Sequence, residues 1–312
     1  MPFSRPNPQR VQTEDALKHL WECEEGGGAG TAGSLAGTLG IRSGKAAAIL
    51  ARLGSDGLAA PAGEVFRLTE DGRQYALHIV RTHRLFETKL ARTTGLPPSD
   101  WHRAAHQAEH HLDRQQVDRM ADDLNNPRFD PHGDPIPTRE GTLPARKRVT
   151  LAEWPVGRAA VIEHLEDEPE SLFRRLGRIG LAPGMLLADP RPQADGSIRT
   201  RTEGREISLP GLLLPLVHVG EPDADQAMRA TWGNLADLGP GGRTTVRGLS
   251  PACLGAERRR LLDLGLVPGT AVACAFSSPF GSPRSYEIRG SLIALRTEQA
   301  ARVLVDPSPP PA

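Results

Sequence analysis

Aromatic residues make up only 4% of this 312-residue sequence. Stacking-driven binding of single strands needs exposed rings, so that mode is disfavoured, and the core has to be built from Leu, Ala, Val and Ile. Cysteine is scarce too: Cys23, Cys253 and Cys274 lie far apart and form no C-x-x-C pair. That spacing argues against a disulfide framework or a thiolate zinc site and points to a reducing compartment. The longest apolar run, Leu209 to Val219, is interrupted by Pro210 and Pro215 and is too short to span a bilayer. The opening MPFSRPNPQR lacks the apolar stretch of a signal peptide, so a cytoplasmic protein with no membrane insertion is expected. Net charge is absent as well, with Lys plus Arg at 38 and Asp plus Glu at 38. Any basic surface for nucleic acid must therefore be local and offset elsewhere.

What is present describes a soluble globular chain: 38% hydrophobic, 24% charged, and long enough for two or three domains. Residues 1–12 are polar and Pro-rich and read as a loose, flexible arm. From Thr13, a plausible N-cap, the positions Leu17, Leu20 and Trp21 follow helical spacing up to a Gly-rich break at residues 26–30. A short helix near 32–39, a turn over 40–43, a helix near 44–54 and the extended Val65-Phe66-Arg67-Leu68 follow. That order predicts a winged helix-turn-helix over 13–74. Two or three further helices, broken at Gly95-Leu96-Pro97-Pro98, predict an all-α domain over 75–141, ending in a Pro/Gly-dense loop. A basic linker, Arg146-Lys147-Arg148, falls within 142–150.

The remainder contains an internal repeat. Arg175-Leu176-Gly177-Arg178-Ile179-Gly180-Leu181-Ala182-Pro183-Gly184 aligns with Arg260-Leu261-Leu262-Asp263-Leu264-Gly265-Leu266-Val267-Pro268-Gly269. The closing strands Glu206-Ile207-Ser208-Leu209 and Leu292-Ile293-Ala294-Leu295 also match. Two small β-rich modules are expected, over 151–220 and 241–306, with a connector at 221–240 and a tail at 307–312. In each, Gly ends a short helix and Pro-Gly turns the chain into the next strand.

Six of the ten histidines lie between residues 78 and 111. His83 and Glu87 are spaced i, i+4 and share a helix face, while His102, His106 and His110 form an i, i+4, i+8 ladder with Glu109 beside them. Imidazoles and carboxylates converging from two helices are what a divalent-metal site requires. An isolated helical histidine is more often solvated or hydrogen-bonded, so the weight rests on the ladder and its flanking carboxylates. His78 and His111 face other directions and read as structural and surface residues, and His132 as a turn residue.

Three stretches carry a family resemblance: His83-Arg84-Leu85-Phe86-Glu87; Trp101-His102-Arg103-Ala104-Ala105-His106-Gln107-Ala108-Glu109-His110; and Asp130-Pro131-His132-Gly133-Asp134-Pro135-Ile136-Pro137. Together they resemble the diphtheria-toxin-repressor (DtxR/MntR-type) family of metal-dependent transcription regulators, from about Thr13 to Gly141. The C-terminal repeats resemble FeoA-type modules, the second more clearly, through its Leu-Gly-Leu-Val-Pro-Gly run and Pro279-Phe280-Gly281. The resemblance implies an α+β multidomain fold: an N-terminal winged helix-turn-helix, an all-α dimerisation domain and two small C-terminal SH3-like β-barrels. It also implies two metal sites. The family's ancillary site maps to His83, Glu87 and His102, and its activating site to Asp15, His106, Glu109 and His110. Iron-type relatives have Met and Cys at the positions of Asp15 and His106, and manganese-type relatives Asp and Glu, so this chain follows neither pattern fully. Ligation by oxygen and nitrogen alone suits Mn²⁺ or Fe²⁺ and inclines narrowly to Mn²⁺, with Zn²⁺ acceptable in vitro. The family's barrel can also lend a Glu and a Gln to the ancillary metal. Glu168, Glu170 and Leu172 stand near that point, and Leu172 cannot ligate.

For DNA, the helix near 44–53 is the expected reading helix. Arg42, Ser43, Lys45 and Arg52 are the polar groups at its start and flank, and Arg67 and Arg73 support the wing. Ala46, Ala47 and Ala48 leave little to read base edges. The expected function is a metal-activated homodimer that binds a palindromic double-stranded DNA operator and represses manganese or iron uptake genes. A second reading makes the chain a FeoA-like accessory protein whose repeats contact a ferrous-iron transporter. A metallohydrolase is the third, and it is disfavoured because no H-E-x-x-H occurs, so no enzyme activity is expected.

Overall fold

A computed structural model describes residues 7–144 and 149–307. Helix α1 (Pro8–Glu25) starts where the Asn7 side chain accepts the Gln9 amide hydrogen bond at 3.0 Å and Pro8 fills a position that needs no N–H. The arm expected over residues 1–12 is therefore helical from Pro8 onward, and Arg10 pairs with Glu14 one turn later at 2.6 Å. Residues 1–6 of that arm lie outside the described residues.

A capping box between Thr31 and Ser34 opens α2 (Ala32–Leu39), and Gly40, left-handed at φ 60°, ends it. Helix α3 (Ser43–Ser55) follows, turning Ala46, Ile49, Leu50 and Leu53 inward onto Leu17, Leu20 and Trp21 of α1 and Leu35 of α2. Strands β1 (Ala59–Ala62) and β2 (Val65–Leu68) pair antiparallel with Ala59 opposite Leu68, completing a winged helix-turn-helix. At Gly30, where the chain passes beneath the wing, a Cβ would stand 2.5 Å from Leu20 Cδ2 and 3.1 Å from the Phe66 carbonyl oxygen, so the Leu20 side chain would have to shift.

Helices α4 (Glu70–Thr93), α5 (Pro98–Glu109) and α6 (Arg114–Asp123) follow, α6 opened by an Asp113–Gln116 capping box. Leu85 packs with Val117, Met120, Ala121, Leu124 and Ile136 into a second core. The histidine ladder is shorter than its spacing suggests, because α5 ends at Glu109 and His110 stands in the turn beyond it.

The rest of the chain forms two six-stranded sheets. The first module contains β3 (Val149–Thr150), β4 (Ala160–Leu165), α7 (Glu170–Ile179), β5 (Leu186–Pro192), β6 (Ile198–Thr202), β7 (Arg205–Leu209) and β8 (Val217–Gly220). After α8 (Ala224–Met228), the second contains β9 (Gly233–Asn234), β10 (Arg243–Leu249), α9 (Gly255–Asp263), β11 (Ala271–Ser277), β12 (Arg284–Ile288), β13 (Ser291–Leu295), α10 (Thr297–Ala300) and β14 (Val303–Val305). The strand orders, β3-β8-β4-β5-β6-β7 and β9-β14-β10-β11-β12-β13, are the same path taken twice. Each helix is followed by a left-handed glycine and then Pro-Gly, at Gly180 and Gly184 in one copy and Gly265 and Gly269 in the other. Each copy has its own core, around Leu176, Met185 and Leu187 and around Leu261, Val272 and Tyr286.

Two boundaries differ from expectation. Gly233 and Asn234, placed in a connector by sequence, pair with Val305 and Leu304 and belong to the second sheet. Val149 and Thr150, placed in a linker, pair with Val219 and His218 in the first. Strands of two residues leave no alternation to read. The basic stretch Arg146-Lys147-Arg148 and the tail from residue 308 lie outside the described residues.

By compactness the chain divides into two units. Of the described residues, one unit holds those up to Lys89, Asp100–Asp130 and those from Asp134 to 144. The other holds Leu90–Ser99, Pro131–Gly133 and everything from Val149. Among the described residues no helix is long and apolar enough to cross a membrane.

Candidate metal centres and nucleic-acid interface

Three helices of the first unit supply the site. On α4, His83 and Glu87 sit one turn apart, both buried. On α5, His102 and His106 sit one turn apart with their side chains half-exposed, and Glu109 closes the helix with its side chain fully buried. From α1 comes Asp15, aimed at His110.

The seven residues fall into two groups, and within each the candidate ligand atoms lie within 4.8 Å of one another. In the first, His110 Nε2 is 3.2 Å from Asp15 Oδ1 and 3.6 Å from Glu109 Oε1, and His106 Nδ1 is 3.1 Å from Glu109 Oε1. In the second, His83 Nε2 is 3.1 Å from Glu87 Oε1 and 3.3 Å from His102 Nδ1, and His102 Nδ1 is 3.5 Å from Glu87 Oε1. These are the two sets expected from sequence, brought together with none left out.

Glu109 joins the groups, since its other oxygen, Oε2, lies 2.5 Å from His83 Nδ1. Burial alone would raise the Glu109 carboxyl, but the Lys18 charge and hydrogen bonds from His106 and His83 outweigh it and hold the group well below the usual carboxylate range. His110 is opposed by burial yet pushed up to about 9 by hydrogen bonds to Asp15 and Glu14 and by the Glu109 charge.

Sequence reasoning missed a layer behind the site. The Glu14 carboxylate, buried, accepts from His110 Nδ1 at 2.6 Å, Tyr75 Oη at 2.7 Å and Arg10 Nε at 2.6 Å. It thereby fixes the His110 ring so that Nε2 faces Asp15. Burial pushes the Tyr75 phenol up to about 12, helped by its bond to Glu14. Lys18 Nζ lies 3.1 Å from His83 Nδ1 and 3.5 Å from Glu109 Oε2. Glu14, Asp15 and Lys18 share the stretch of α1 that reaches the histidines, a proximity that only the folded chain reveals. His132 stands in a turn, as expected, buried in the second unit with its ring edge-on to Phe173 at 5.1 Å.

The helix expected from sequence to meet nucleic acid is α3. Arg42, Ser43 and Lys45 are exposed at its start, followed along the exposed side by Ala47, Ala48 and Ala51. Arg52 is half-buried on the same helix, and its guanidinium donates to Thr13 Oγ1 of α1 at 3.3 Å. Arg73 is likewise drawn to Glu24 at 2.5 Å, whereas Arg67 on the wing is exposed.

Comparison with known proteins adds names to this geometry. A family model described as "Iron dependent repressor, metal binding and dimerisation domain" matches residues 69–138, and one described as "FeoA domain" matches residues 233–307. The iron-dependent repressor IdeR of Mycobacterium leprae (strain TN) is 30% identical over 185 residues, which is 55% of this chain and 80% of that protein. The protein of the same name from Mycobacterium tuberculosis (strain ATCC 25618 / H37Rv) is 31% identical over the same length and with the same coverage. A solved manganese-dependent transcriptional repressor in complex with manganese superimposes with a TM-score of 0.60 at 26% identity, covering 67% of this chain and 100% of its own. The manganese regulator SloR, at 21% identity and a TM-score of 0.54 over 70% of this chain and 100% of its own, shares the fold. These relatives give no support to the reading as an accessory of a ferrous-iron transporter.

Proposed function

This chain belongs to the DtxR-type family of metal-dependent repressors, and from that premise we propose that it represses transcription as a homodimer whose hold on a DNA operator is set by Mn²⁺ or Fe²⁺. One observation carries the assignment: Asp15, on the first helix of the DNA-binding unit, meets His106, Glu109 and His110 of the helical domain in one cluster. Asp15 Oδ1 and His110 Nε2 are buried and face each other at 3.2 Å. Two carboxylates and two imidazoles around such atoms fit a divalent cation of hard to borderline character. His83, Glu87 and His102 offer a second set of the same kind.

When bound, the cation supplies positive charge and a bond shared between α1 and the end of α5. The protein does the rest. Leu17, Leu20 and Trp21 of α1 pack on α2 and α3, so whatever fixes Asp15 fixes the angle at which α3 meets DNA. Glu14 orients the His110 ring. Lys18 balances the buried Glu109 charge. In a dimer the two copies of α3 must stand about one DNA turn, ~34 Å, apart to read a palindromic operator. Metal strengthens operator binding only by preferring the orientation that fits, and a preference of about 1–3 kcal/mol corresponds to roughly 5–150-fold.

Arg42, Ser43 and Lys45 contact the backbone and position the helix, while the alanines along α3 leave direct base reading thin. Arg52 also ties α3 to Thr13 of α1. The regulated genes are those for manganese or iron uptake, the protein acts in the cytoplasm, and it is not an enzyme. A gel shift on a palindromic operator, with Mn²⁺ or Fe²⁺ against a chelator, tests the assignment. Metal is expected to create the shifted band, and equal binding in chelator removes metal from the mechanism.

A further inference from the structure

Another cluster of potential ligands draws on none of α1, α4 and α5. In the first sheet module, His164 on β4 is paired across the sheet with His218 on β8, and Glu166 follows just past the end of β4. Both imidazoles direct Nε2 at one carboxylate oxygen: His164 at 3.3 Å and His218 at 3.0 Å from Glu166 Oε1. The rings are 5.2 Å apart and inclined at 61°. His164 and His218 are only 3% and 8% exposed, whereas the Glu166 side chain, at 34%, opens the cluster to solvent. His218 Nδ1 is buried and has no hydrogen-bond partner among the described residues.

The molecule carries its own control. The second module builds the same joint from β10 and β14, with the same irregularity in register, Val246 to Gly248 matching Ile162 to His164. The following residue bonds alike in both copies, Glu166 N to Leu216 O and Ser250 N to Arg302 O, each at 2.8–2.9 Å. By this correspondence, Gly248, Ser250 and Leu304 occupy the places of His164, Glu166 and His218. The fold therefore needs none of the three polar residues. Two buried imidazoles and a carboxylate cost desolvation that the second copy avoids.

We propose that His164, Glu166 and His218 form a further binding site in the first module, for a first-row divalent cation. Two imidazole nitrogens and one carboxylate oxygen make three protein ligands and leave positions for water, a set that suits Zn²⁺ and also Fe²⁺ or Mn²⁺. Binding displaces any proton from the Nε2 atoms that face Glu166, so uptake at this site releases protons. The hydrogen bonds from His164 and His218 already hold the Glu166 carboxyl well below its ordinary value, which keeps it ionised for a cation. The site lies wholly within one module and does not depend on the operator-binding reading.

The test uses the full chain, stripped by a chelator and dialysed against Zn²⁺ alone, with bound metal counted per protomer. The variant Glu166→Ser/His218→Leu borrows the residues of the other copy at those places and is expected to fold, as far-UV circular dichroism will report. It should hold one Zn²⁺ fewer than the unaltered chain, and equal content overturns the site. Crystals of the unaltered chain grown with Zn²⁺ and measured at the zinc absorption edge give an answer free of substitutions. An anomalous peak about 2.0–2.2 Å from both Nε2 atoms and Glu166 is expected. No peak there, with the α1/α5 sites filled, overturns it.

Discussion

The two ligand clusters of the helical unit are built from similar chemistry and differ in what they connect. Asp15, His106, Glu109 and His110 join α1 of the DNA-binding unit to the end of α5, whereas His83, Glu87 and His102 join α4 to α5 alone. A cation in the first cluster therefore constrains the helix on which α2 and α3 pack, and a cation in the second stiffens a scaffold. Glu109 touches both, through Oε1 to His106 and Oε2 to His83, so occupancy of one alters the charge felt by the other. The lesson is that a ligand's position in the chain, more than its element type, decides whether a metal site can switch function.

The contrast predicts unequal mutants. Asp15→Ala should have the largest effect, abolishing a metal enhancement of operator affinity of roughly 5–150-fold while leaving the dimer intact on size exclusion. An undiminished response would mean that α1 takes no part.

Proton competition should come next. His110 is raised from 6.5 to about 9, facing Asp15, Glu14 and Glu109 with the His106 ring 5.5 Å away. A folded-state value above the unfolded one stabilises the metal-free protein fully below the unfolded value, and that contribution is lost as pH climbs through about 9. Thermal melts of stripped protein should therefore fall across this window while metal affinity, measured by titration, rises. Parallel trends would show that the ring is not the group that binds both proton and cation.

Glu87→Gln should cost one equivalent of bound metal but change the operator response by only about tenfold or less, ~1.4 kcal/mol. A loss as large as that of Asp15→Ala would erase the distinction between the clusters. Smallest of all, Lys18→Met removes the ammonium beside His83 and Glu109 and should tighten metal binding by an amount on the order of 1 kcal/mol, read by calorimetry. Weaker binding would mean that Lys18 orders the ligands instead of competing with the cation.

Much of this was legible in the residue order, for identifiable reasons. Helical spacing placed His83 with Glu87 and His102 with His106, and the motif resemblance added Asp15, some 70 to 95 residues away along the chain. The doubled Gly-Leu-x-Pro-Gly pattern made the two modules visible, because a left-handed glycine and a Pro-Gly turn leave a residue signature. What stayed hidden had no such signature. Glu14 and Lys18 look like ordinary solvated positions on a polar helix until Tyr75, His83 and His110 close over them. Arg52 reads as a DNA contact by type and spacing, and its bond to Thr13 of α1 has no signature in the residue order. The helical start at Pro8 was masked by proline and polarity, which an Asn cap and an Arg10–Glu14 pair turn into a helix opening. His164 and His218 are 54 residues apart, and only strand register makes them neighbours.

The most direct measurement is a Mn²⁺ titration of operator affinity, run side by side on the unaltered chain and on Asp15→Ala by fluorescence anisotropy. The unaltered chain should tighten its grip as metal is added while the variant's curve stays flat. Equal tightening in both would contradict the claim that a cation works by tying α1 to the histidines of α5.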